Sequence, residues 1–135
     1  MAKVLILVGS ETERPALEPA LEVLRAAGVE AELHVSSAHR QPDATAALAR
    51  TAKERGYGVI ICGAGLSAAL PGFVASQTDL PVIGVPVPVG PLAGVDALLS
   101  IVQMPSGVPV ACVGIGNAKN AAHLALRILG VPARR

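Results

Sequence analysis

Five short aliphatic runs, separated by stretches in which apolar residues recur every three or four positions, set the rhythm of this chain. Val4-Leu5-Ile6-Leu7-Val8 is apolar at every position, the mark of a parallel strand covered on both faces. Gly9 and Ser10 end it. Pro15 then opens a helical pattern with Leu17, Ala20, Leu21, Leu24 and Ala27 on one face, and Gly28 closes it. A second strand is expected over residues 31–35 and a helix over 44–55 ending at Gly56, with Pro42 fitting the first turn, where its missing N–H costs no hydrogen bond. Val59-Ile60-Ile61-Cys62 reads as the third strand, followed by the string Gly63-Ala64-Gly65-Leu66-Ser67-Ala68-Ala69-Leu70-Pro71-Gly72 and a weaker helical stretch to Gln77. Residues 82–85 make a fourth strand. Pro86, Pro88, Gly90, Pro91 and Gly94 then predict an ordered, irregular loop before a short helix over 96–102. Residues 110–113 are the fifth strand, and the last helix, 118–129, carries its apolar face on Ala121, Leu124, Ala125 and Ile128.

Strands alternating with helices specify a parallel sheet wrapped on both faces, because parallel neighbours need crossovers and those crossovers are right-handed. The expectation is an α/β chain: one flavodoxin-like, three-layer domain over residues 1–135, with a five-stranded sheet in the order 2-1-3-4-5. No internal repeat, low-complexity tract or linker interrupts it.

Composition narrows the function. With no Trp, one Tyr57 and one Phe73, the core must be aliphatic. Eleven basic against ten acidic residues leave no charge excess to hold nucleic acid or an anionic membrane. The expected partner is a small molecule. Cys62 and Cys112 lie in apolar runs and suit reduced thiols of a cytoplasmic protein. No metal-ligand spacing is present, and the first apolar run is too short for a signal segment or a membrane span.

In this topology the loops after the strands share one edge of the sheet, so residues 9–13, 36–41 and 63–71 converge. The string Val35-Ser36-Ser37-Ala38-His39-Arg40-Gln41-Pro42 brings an imidazole and a guanidinium to the start of a helix. There Arg40 can grip an anion, and His39 can move a proton near neutral pH. A polar loop with a capping serine is the plainer reading. Ser10 and Thr12 offer hydroxyls and Glu13 a carboxylate; the same residues also read as a helix cap with an acidic first turn. The Gly63-Ala64-Gly65 turn would expose backbone N–H groups to a ligand, or simply pack closely.

Gly63, Gly65 and Ala68 match a dinucleotide pattern formally, but after the third strand and without the acidic residue that would hold a ribose. No aspartate ends that strand, which excludes receiver-domain chemistry. His34 and His123 fall within regular elements and read as structural or exposed. Cys62 has no neighbouring base in sequence, and burial would disfavour its thiolate.

Ser37-Ala38-His39-Arg40-Gln41-Pro42, Gly63-Ala64-Gly65 with Leu70-Pro71-Gly72, and the run from Gly94-Val95-Asp96-Ala97-Leu98-Leu99-Ser100 through Gln103-Met104-Pro105-Ser106-Gly107 to Val110 resemble the phosphoribosylaminoimidazole carboxylase catalytic subunit family, PurE. Arg40 with Gln103-Met104-Pro105 resembles its bacterial mutase class. The resemblance implies conversion of 5-(carboxyamino)imidazole ribonucleotide to 4-carboxy-5-aminoimidazole ribonucleotide without metal, ATP or organic cofactor. It implies His39 as general acid and base, with Ser10, Glu13 and Arg40 at ribonucleotide-binding positions. Ser37 and the backbone of Gly63, Ala64 and Gly65 would complete the pocket, in a homo-oligomer that is an octamer in the family.

The chain departs from the family pattern where Glu13 replaces aspartate, Leu66 glycine and Ala69 a second histidine, and it stops at Arg135 without the usual C-terminal helical extension. Two other readings therefore stay open: a paralogue acting as carboxylase or decarboxylase on another heterocyclic ribonucleotide, and a non-catalytic nucleotide-binding protein.

Overall fold

The computed structural model describes residues 1–132, so the expectation about a C-terminal extension, made at Arg135, lies outside the described residues. Strands β1 (Lys3–Val8), β2 (Ala31–Val35), β3 (Tyr57–Gly65), β4 (Val82–Val87) and β5 (Ala111–Cys112) form one parallel sheet. Its order is β2-β1-β3-β4-β5, as the alternation predicts. Helices α1 (Arg14–Ala26), α2 (Pro42–Thr51), α3 (Leu70–Ala75), α4 (Val95–Val102) and α5 (Ala118–Ile128) link and follow the strands.

Side chains that alternate along each strand supply two cores. Val4, Ile6 and Val8 join Val59, Ile61, Ile83 and Val85 under α1 and α5, through Leu17, Ala20, Leu24, Ala121 and Ala125. Leu5, Leu7, Ile60 and Cys62 face the other way, where Ala49, Leu70, Val74 and Ile101 of α2, α3 and α4 cover them. These continuous aliphatic runs are buried because helices cover both faces.

Several elements differ from expectation, among them β5, which spans only Ala111–Cys112 where residues 110–113 were expected. Helix α2 stops at Thr51, four residues early; the chain turns through 52–55 and Gly56 takes a left-handed φ of +93° before β3 begins. Strand β3 runs through Gly63-Ala64-Gly65, which is therefore sheet and not a turn, pairing with Val85, Pro86 and Val87. Gly63 is glycine because a Cβ there would lie 2.2 Å from Leu17 of α1. Pro86 belongs to β4 and not to the following loop. Its missing N–H is tolerated because β5 ends opposite Gly84, while the Pro86 carbonyl accepts from Gly116 N–H at 2.8 Å. On α5 the buried stripe is Ala118, Ala121, Ala122, Ala125 and Leu126, small residues that let α1 approach; Ile128 is left 42 % exposed.

The strand order reverses between β1 and β3, so the chain leaves their carboxyl ends toward opposite faces of the sheet. A crevice opens at that point, as it does in open α/β sheets generally.

Candidate active site

A cavity of about 360 Å³ occupies this crevice. Gly9, Ser10 and Glu13 line it from the loop after β1, and Ser37, Ala38, His39 and Arg40 from the loop after β2. Ala64 and Gly65 at the end of β3, with Leu66, Ser67, Ala69 and Leu70 beyond it, complete the lining. Of the residues expected at the site, Ser10, Glu13, Ser37, His39, Arg40, Ala64 and Gly65 come together here. Thr12 and Gly63 do not line the cavity: Thr12 is exposed on the short 3-10 turn Glu11–Glu13, and Gly63 is buried against α1.

The loop that carries His39 is a wound turn just ahead of α2, and both His39 and Arg40 are exposed. Ser37 holds it at two points: its hydroxyl oxygen accepts from Arg40 N–H at 3.1 Å and its carbonyl from Gln41 N–H at 2.9 Å. Beneath the turn Thr45, fully buried in the first turns of α2, donates its hydroxyl to the Ser37 carbonyl at 3.1 Å. That leaves the Ser36 hydroxyl to donate to Thr45 Oγ1, 2.5 Å away. Thr45 is a residue that reading the sequence missed. Its signal was present, a threonine on the stripe shared with Ala46 and Ala49, where a hydroxyl must find a partner once buried.

Across the cavity Glu13 joins two strand ends. Its Oε1 accepts from the Ser10 hydroxyl at 2.8 Å, and its Oε2 accepts from Gly65 N–H at 2.7 Å. With the Ser10 proton committed to Glu13, Thr12 donates to Ser10 at 2.7 Å, which is how Thr12 supports the site without lining it. The Gly65 N–H expected to face a ligand is thus held by Glu13.

Leu66 follows Gly65 at φ +55°, a left-handed conformation that disfavours a side chain with a Cβ. Ala69 contributes only a methyl group to the lining of the cavity. Neither remaining histidine lines it: the His34 Nε2 is buried without a partner on β2, and His123 is exposed on α5. Cys62 is fully buried, and burial pushes its thiol far above the ordinary range, so it is no nucleophile. Among the described residues no cluster of His, Cys, Asp and Glu has the makings of a metal site.

The arrangement sets an imidazole and a guanidinium beside hydroxyls on one side, and a wall that is apolar apart from Ser67 on the other. Such a site suits a small anionic ligand with a flat apolar portion.

The chain matches the family model described as AIR carboxylase over residues 3–135. It is 55% identical to an N5-carboxyaminoimidazole ribonucleotide mutase of Saccharolobus solfataricus over 131 residues, 97% of this chain and 83% of the relative. It is 54% identical to the protein of the same description from Thermotoga maritima, over 97% of this chain and 77% of that one. Among solved structures, that of Treponema denticola PurE superposes with a TM-score of 0.85 at 32% identity, covering 98% of this chain and 83% of the other.

Proposed function

The chain belongs to the AIR carboxylase family, and from that premise we infer that it catalyses the mutase reaction of its relatives. A carboxyl group moves from the exocyclic nitrogen to C4 of 5-(carboxyamino)imidazole ribonucleotide, giving 4-carboxy-5-aminoimidazole ribonucleotide in de novo purine biosynthesis. One observation carries the reading: in a chain 54–56% identical to such mutases, His39 and Arg40 line the same cavity at the β1/β3 crevice.

In the site we propose, Arg40 takes the ribonucleotide phosphate by a charge-assisted hydrogen bond. Ser10, Glu13 and Ser37 face the sugar. Glu13 accepts from ribose hydroxyls with lone pairs not used by Ser10 and Gly65, and Thr12 keeps Ser10 in place. The backbone of Ala64 and Gly65 bounds the far side, while Gly63 contributes by keeping β3 close to α1.

His39 is the group that moves protons. As the N–C bond breaks and carbon dioxide leaves, the nitrogen keeps the bonding pair and takes a proton from the imidazolium. C4 then attacks the carbon dioxide, and the proton displaced from C4 returns to the imidazole, so nothing is gained or lost over the cycle. One group can serve both steps because an imidazole can both donate and accept a proton. The small residues Ala38, Ala64 and Ala69 leave space in which carbon dioxide stays close to C4, where proximity favours recapture.

We further infer that the protein is a homo-oligomer acting in the cytoplasm. Val89, Leu92, Val95, Leu99, Val102 and Ile115 are 37–58 % exposed on and around α4, a concentration of apolar surface that suits contact with further copies. Its two cysteines are free thiols, as in a reducing compartment. The reading is tested by supplying 5-(carboxyamino)imidazole ribonucleotide and measuring 4-carboxy-5-aminoimidazole ribonucleotide above the spontaneous background. Catalysed formation supports the mutase; none overturns it.

A further inference from the structure

The cavity has two unlike walls. The loops after β1 and β2 contribute Ser10, Glu13, Ser37, His39 and Arg40, whereas the end of β3 and the segment beyond it contribute Ala64, Gly65, Leu66, Ala69 and Leu70, with Ser67 the one polar side chain among them. On this second wall Ala64 and Leu70 are already covered, at 6 % and 3 % exposure. Leu66 is 52 % exposed, so it is the large apolar group of the wall that a ligand would remove from water.

Its backbone makes the side chain's presence costly. At φ +55° a glycine would sit without strain, and a half-exposed isobutyl group recovers little by burial. The side chain is nevertheless braced. Leu66 Cδ2 rests on Gly90, so closely that a Cβ on Gly90 would lie 2.8 Å from it. The neighbouring Gly65 is pressed by Val89, whose Cγ2 would lie 2.1 Å from a Cβ there. The loop after β4 therefore backs this edge of the cavity and supports one side of the Leu66 side chain.

We propose that Leu66 is a specificity-determining residue, its side chain being the apolar surface on which the flat heterocycle of the ribonucleotide packs while the polar wall holds sugar and phosphate. The proposal rests on the mutase reading. A contact of this kind is made equally in the ground state and the transition state, so it sets KM and leaves kcat nearly alone.

The test compares wild type with Leu66→Gly, Leu66→Ala and Leu66→Met in the conversion assay, with urea unfolding of each and calorimetric binding of ribose 5-phosphate, a probe that lacks the heterocycle. Leu66→Gly and Leu66→Ala should raise KM by about 5- to 20-fold with kcat within about twofold, as loss of one apolar contact predicts. Leu66→Met, close in volume, should stay within about threefold of wild type. Affinity for ribose 5-phosphate should be the same in all four proteins.

An unchanged KM in the Gly and Ala variants overturns the proposal, and so does a parallel loss of ribose 5-phosphate affinity. If wild type converts nothing, the mutase reading falls and the proposal with it; conversion by wild type with a flat Leu66 series removes the proposal alone. Leu66→Gly relieves the left-handed backbone and should unfold at no lower urea than wild type. Should it fail to fold, Leu66→Ala, which keeps the wild-type backbone demand, carries the same readout.

Discussion

In the proposed site, Arg40 and Glu13 divide the polar work of the cavity by charge. A guanidinium suits a phosphate, and a carboxylate that already accepts from Ser10 and Gly65 can offer a ligand only further lone pairs, so it selects hydroxyls. Replacing Arg40 with Met keeps most of the unbranched stem of the side chain and removes the charge. The variant should bind the ribonucleotide about 10- to 100-fold more weakly by calorimetry, with a smaller effect on kcat, because the phosphate contact exists before and during reaction. Unchanged affinity would place the phosphate elsewhere. That His39 and Arg40 would line the crevice was legible in the sequence, because the rule that ligands meet the carboxyl ends of parallel strands needs only the strand positions. Thr12 and Gly63 were read as ligand-facing because sequence gives an order along the chain, whereas a 3-10 turn and the close approach of Leu17 decide which way each residue faces.

Among the elements, α2 and the loop ahead of it act as one piece. Thr45 ties the first turns of α2 to the Ser37 carbonyl, and Ser36 completes the chain of hydroxyls underneath. Thr45→Val keeps the shape but leaves the Ser36 hydroxyl buried with no acceptor. It should cost about 1–3 kcal/mol in urea unfolding at an unchanged m-value, whereas Ser36→Ala together with Thr45→Val should recover most of that loss. A single variant as stable as wild type would mean that the hydroxyl chain holds nothing. This coupling was invisible in the sequence because hydrophobic periodicity marks position 45 as inward-facing without showing its partner. The carboxyl end of β3 was read three residues short for a related reason. Gly63, Ala64 and Gly65 lack the branched side chains that signal a strand, yet β1 and β4 on either side supply its pairing. The five strands and their order were legible, since aliphatic runs covered on both faces admit few arrangements.

At the scale of the molecule, the described residues present a crevice at the β1/β3 reversal and an apolar region around α4. The second feature predicts self-association: at micromolar concentration sedimentation velocity should find an assembly larger than the monomer, and a monomer would contradict the oligomer. How many copies assemble was not legible, because an exposed Leu92 or Leu99 marks a contact without its symmetry. The first feature is the central claim, that the cavity bearing His39 moves the carboxyl group by passing a proton out and back. Its most direct test is the rate of conversion of 5-(carboxyamino)imidazole ribonucleotide by wild type and by His39→Asn, with spontaneous decarboxylation subtracted and ribonucleotide binding measured alongside. Asparagine keeps hydrogen-bonding capacity but has no proton to exchange near neutral pH. Binding should therefore survive while turnover falls by about two to four powers of ten. Equal turnover by the two proteins would contradict the account.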